Sequence, residues 1–100
     1  MNYPIITELL APALYALRVE NLTNSPLETP LGVLSPRCTG ETRKVTNPDV
    51  ISALDATQMM AMMIQATLNV PSKMIGTEFG WDIVRGDTTE CVCRLSVIQV

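Results

Sequence analysis

Ser52–Asn69 reads SALDATQMMAMMIQATLN, and it places four of the chain's six methionines between positions 59 and 63. The segment has neither glycine nor proline and is rich in alanine, leucine and methionine, all strong helix formers, so it is read as the main helix. Asn47-Pro48, and Ser52 with Asp55 three residues on, both carry start signals. The helix is therefore predicted to begin between 48 and 53 and to end near Asn69, ahead of Pro71. At ~100° per residue, Asp55, Gln58, Gln65 and Asn69 make a polar stripe only about 80° wide. Met59, Met63, Met60, Ile64, Leu68, Ala61 and Leu54 spread over about 220°, whereas packing on one sheet uses an arc of roughly 100°. Met62 lies inside the polar stripe, beside the surplus. Methionine is unbranched and polarizable, suited to filling irregular gaps or to forming an adaptable protein-binding surface. Met59, Met62 and Met63, with Gln58 and Gln65 beside them, are the candidate partner-binding residues.

The flanking sequence alternates as strands do. From Leu14 to Leu22, Tyr15, Leu17 and Val19 oppose Arg18 and Glu20, the pattern of a half-buried strand. Residues 5–10 are read as a short helical turn ended by Pro12. Pro26, Pro30 and Pro36 leave 24–38 as an irregular loop with at most a short edge strand near Leu31–Leu34. Glu41–Thr46 is extended and polar on both faces, which suits an edge strand or a hairpin arm.

The last third carries the most regular pattern. Ile75, Phe79, Trp81 and Ile83 alternate with Gly76, Glu78, Gly80 and Asp82, and Cys91, Cys93, Leu95 and Val97 alternate with Val92, Arg94 and Ser96. These read as two strands of a hairpin. Because a one-residue slip exchanges the faces of a strand, register follows from which loop keeps apolar residues opposite one another. A three-residue loop, Arg85-Gly86-Asp87, sets Trp81 opposite Cys91, Phe79 opposite Cys93 and Ile75 opposite Val97. It also pairs Glu78 with Arg94 and brings Asp82 near Glu90. Trp81 is thereby expected in the core against the helix. Strands, one long helix and a hairpin predict an α+β fold, read as one domain over 1–100. Its two layers would be a mostly antiparallel sheet of about four strands and one long Met-rich helix packed on one face.

Composition narrows the functional classes. Seven basic residues against ten acidic ones, with a net charge of −3, supply no positive patch for nucleic acid. No run is apolar enough to span a membrane, since Asp55, Gln58 and Gln65 interrupt the helix. Tyr3–Leu17 is apolar but lacks preceding basic residues and is broken by Pro4, Glu8 and Pro12, so it is read as part of the fold. Three cysteines are too few for a stapled secreted scaffold and point to a reducing cytoplasm. With no secretion signal read, the sequon Asn21-Leu22-Thr23 is taken as accidental, and Arg85-Gly86-Asp87, though it matches an integrin-binding motif, as a turn.

The chain has no histidine, which removes Ser-His and Cys-His nucleophile systems. Asp82 and Glu90, expected as neighbours on an open and wet sheet face, are read as a solvated acidic patch in preference to a catalytic pair. The sequence therefore suggests a small acidic, non-catalytic module that binds another protein in the manner of an adaptor, inhibitor, immunity or assembly protein. It is expected to self-associate as a homodimer, and no cofactor is expected. The alternative is a metal-binding or redox protein built on Cys38, Cys91 and Cys93. These three thiols would need a further ligand to complete a structural zinc site.

Overall fold

The computed structural model of the protein describes residues 14–42, 45–46, 50–68 and 70–99. The expected helical turn at 5–10 lies outside them, while the helix expected to end near Asn69 ends at Thr67. The methionine segment forms helix α1, Val50–Thr67. Its start at Val50 falls within the predicted window of 48 to 53. Two threonines on α1 satisfy their hydroxyls within the helix, Thr57 on the Leu54 carbonyl (2.6 Å) and Thr67 on the Ile64 carbonyl (2.8 Å). This lets Thr57 be buried in the helix–sheet contact without an orphaned polar atom.

The sheet is six-stranded and antiparallel throughout. Strand β1, Leu14–Asn21, lies inside it next to β8, Cys91–Gln99, and beyond β8 come β7, Gly80–Arg85, and β6, Ser72–Gly76. On the other side of β1, two short strands share the edge: β4, Thr39–Glu41, and β5, Val45–Thr46. Within the polar 41–46 stretch, Glu41 and Val45–Thr46 thus lie on an edge, as the composition suggests. The remaining strands, β2 (Leu27–Thr29) and β3 (Gly32–Leu34), pair only with each other. The fold is α+β, with α1 laid on one face of the large sheet.

The core is the seam between them. Val19, Ile83, Cys93 and Leu95 from the sheet meet Ala61 and Ile64 of α1, with Leu27 closing one end. Trp81, half-buried, packs against this cluster beside Met60, Leu68 and Met74. Among the described residues no helix is long and apolar enough to cross a membrane.

Two sequence readings are corrected. The run Ile75–Ile83 is not one strand: Thr77 N–H bonds the Gly80 carbonyl at 2.9 Å and the chain reverses, so Ile75 falls on the outer sheet face opposite Asp82 and Phe79 sits in the turn, both exposed. The register with β8 also differs. Trp81 is opposite Leu95, Asp82 opposite Arg94 and Ile83 opposite Cys93, after which a bulge brings Val84 opposite Cys91. The extra residue, Val92, enters the core, which offsets the break in the ladder. The loop closing this hairpin runs from Arg85, whose N–H bonds the Glu90 carbonyl at 2.9 Å, with Gly86 at φ 40°. It is longer than the three residues expected. A bulge and a longer loop change the register while keeping Trp81 on the Cys93 face, so the polarity of the strand was readable but its partner residues were not.

The 24–38 segment is also more ordered than its prolines suggest. Thr29-Pro30-Leu31-Gly32 is a turn with proline second and glycine fourth, Gly32 taking φ 105°. It presents Leu27 to the core and leaves Val33 in solvent.

Candidate functional site

Helix α1 buries Thr57, Ala61 and Ile64. Residues a half-turn away face solvent, and here those residues are methionines. Met59, Met62 and Met63 expose 65%, 56% and 55% of their surface, at the i, i+3, i+4 spacing that aligns side chains on one helix face. Ala66 continues the face one turn on and is also exposed. The β2–β3 hairpin extends it sideways, for Val33 is 65% exposed and lines, with Met63, Thr67 and Pro30, an open groove of about 310 Å³ against the helix. The hairpin half of this surface was missed in the sequence. The turn chemistry of Thr29–Gly32 was the signal that could have placed it.

The glutamines separate. Gln58 is exposed and lies in a second groove of about 310 Å³ between the N-terminal half of α1 and the β6–β7 turn. Gln65 turns toward the sheet, its Nε2 donating to the Ser72 carbonyl at 2.9 Å. It is half-buried and engaged within the chain.

The charged groups form separate pairs. Asp82, expected near Glu90, is held by Arg94 at 2.9 Å on the exposed sheet face, and this carboxylate is the first cause of the raised Arg94 pKa. Glu90 lies 3.3 Å from Arg85, and Arg18 pairs with Glu41 at 2.9 Å. Exposed pairs of this kind contribute about 0–1 kcal/mol each. Asp82 and Glu90 each have their own arginine partner, so the acidic pair expected from the three-residue loop does not form.

Among the described residues no group of three or more His, Cys, Asp or Glu is arranged to hold a metal ion. Cys38 is exposed, Cys91 half-buried and Cys93 buried. The two on β8 do not both face the core as expected, because the bulge interrupts the alternation. The Cys91 thiol instead donates to the Cys93 carbonyl at 3.3 Å. Burial, then the Asp82 charge, raises the Cys91 pKa. Burial is also the first cause for Cys93, pushed up from 9.0 to about 12. Thiolate chemistry is disfavoured at both positions near neutral pH.

The Cys93 shift has a consequence for stability. An unfolded thiol ionises near 9.0 while the native one holds its proton to about 12. Between these values the unfolded state has lost a proton that the native state keeps, so stability falls with rising pH by about 1.4 kcal/mol per pH unit. Urea unfolding at about pH 8 and about pH 10.5 is expected to show this loss in the wild type, and a smaller loss by about 2 kcal/mol in Cys93→Ala. Equal pH dependence of the two proteins would show that Cys93 does not carry it.

Comparison with known proteins found no matching family model, no matching curated protein and no matching solved structure.

Proposed function

We propose that the protein is a small protein-binding module, acidic and non-catalytic, that self-associates through the exposed face of α1. The observation that carries this is the exposure of Met59, Met62 and Met63 together on one face of a helix whose opposite face is already satisfied by the sheet. Burying a methionine side chain fully contributes about 1.5–3 kcal/mol, and a contiguous apolar surface is the usual mark of an interaction site. Flexible thioether side chains adapt to a partner's contour at little packing cost. The β2–β3 hairpin widens the surface with Val33 and Leu31, both exposed.

Sedimentation at about 100 μM is the direct test, since self-association depends on concentration. Wild-type protein is expected to sediment as a dimer. Met62→Glu is expected to sediment as a monomer with unchanged circular dichroism, because position 62 has little to do with the core. A monomeric wild type at that concentration overturns self-association, and a dimer that survives Met59→Glu and Met62→Glu together overturns the assignment of the face.

A further inference from the structure

The large sheet has a second unpartnered element, the outer edge of β6. Thr77 N–H bonds Gly80 and Gly86 N–H bonds the Pro71 carbonyl at 2.7 Å. Hydrogen bonding in an antiparallel pair alternates along the strand, so the odd-numbered residues of β6 direct their backbone groups at β7 and the even-numbered ones direct theirs outward. The Ser72 carbonyl fits this alternation, for it is the one taken by Gln65. The N–H and C=O groups of Met74 and Gly76 remain without a strand beside them among the described residues. Such an edge is a template for an added strand.

What lies beside that edge selects the partner. Residues opposite each other across a strand pair point to the same face, and Gly76 shares the helix-side face with Trp81. A residue added opposite Gly76 would direct its side chain into the groove formed by Asp55 and Gln58 of α1, Glu78 of the turn and the Trp81 ring. The ring is accessible there because Gly76 has no side chain: a Cβ at that position would stand 3.6 Å from Trp81 Cζ3. Asp55 and Glu78 are exposed and have no ion-pair or hydrogen-bond partner among the described residues. Two unpaired carboxylates around an aromatic ring complement a cation. A second copy would instead bring its own Asp55 and Glu78 to the same side, in a chain of net charge −3, so the edge favours a foreign strand over a self-paired one.

We propose that the free edge of β6 accepts an extended segment of a partner protein as an added strand, with a lysine or arginine of that segment opposite Gly76 placing its charge between Asp55 and Glu78 beside Trp81. This deepens the binding-module reading by naming a partner chemistry, and it uses a different surface from the methionine face.

The test pans a phage-displayed library of random peptides against the intact protein, and then measures the enriched peptides by titration. Enriched sequences are expected to carry one lysine or arginine among β-branched residues, and to slow hydrogen exchange of the Met74 and Gly76 amides. Their affinity should fall about tenfold, or ~1.4 kcal/mol, in the Asp55→Asn, Glu78→Gln double variant, whose changes are on the surface. It should be lost in Gly76→Val, where the new methyls cover the ring. No enrichment overturns the proposal, as does binding that both variants leave intact. Peptides released only by Met59→Glu would also overturn it, while leaving the binding-module reading in place. A wild type that sediments as a monomer yet binds these peptides would instead overturn self-association and leave the added strand in place.

Discussion

Asn21→Asp is expected to destabilise the protein by about 3–5 kcal/mol at neutral pH, the scale of an uncompensated buried charge. Asn21 ends β1 and is 1% exposed. Its side-chain amide shares its two hydrogens among the carbonyls of Ser25 (2.8 Å), Leu34 (3.2 Å) and Ser35 (3.1 Å). Its Oδ1 accepts from the Thr23 N–H (3.0 Å) and hydroxyl (2.7 Å). One amide thus satisfies both ends of the β2–β3 hairpin and the turn before it. A carboxylate of the same shape keeps the acceptor side and faces three carbonyl oxygens with no hydrogen to offer. Because protonation restores one donor and removes the charge, the loss is expected to shrink when unfolding is measured in acid. Equal stability of Asn21→Asp and wild type at neutral pH would refute the role given to this amide.

Gly80→Ala is the second large effect, through space and not conformation. Gly80 is buried in β7 opposite Ser96, and a Cβ there would overlap the Leu95 backbone carbonyl of β8. That obstacle cannot rotate away, since the Phe79 carbonyl on one side holds the Val97 N–H at 2.9 Å and Gly80 itself holds Thr77. The strands must part, at a cost of about 3 kcal/mol or more. Gly76→Ala is the internal control, because its Cβ would make ordinary contact with Trp81. A Gly80→Ala midpoint in urea matching that of Gly76→Ala would show that the strands do not approach so closely.

These two residues illustrate what the sequence conceals. Helix α1 was legible because its run of helix formers holds neither glycine nor proline, and its surplus apolar arc because the polar stripe is so narrow. Strand β1 and the apolar face of β8 were legible from alternation. The structural role of Asn21 was hidden because its partners, Leu34 and Ser35, become neighbours only when the hairpin folds back. The reversal at Thr77–Phe79 was hidden because Ile75, Phe79, Trp81 and Ile83 keep a strand-like parity straight through the turn. The Val92 bulge left no mark at all: an inserted residue that is itself apolar looks like one more strand position. Of the candidate site, the methionines follow from local periodicity, whereas Val33 and the free β6 edge depend on which strands end up side by side.

The pairing of β1 with β8 constrains how the chain can assemble. Tyr15 meets Gln99 and Asn21 meets Cys93, so strands from opposite ends of the described chain are neighbours in the interior of the sheet. Before β8 is synthesised, β1 has only the short β4 and β5 to pair with, and the inner face of α1 has no complete sheet to rest on. Folding must await a long loop closure, which makes it slow relative to helical domains of this size. A chain emerging from the ribosome would present all of its methionine helix before it possessed the surface that buries half of it.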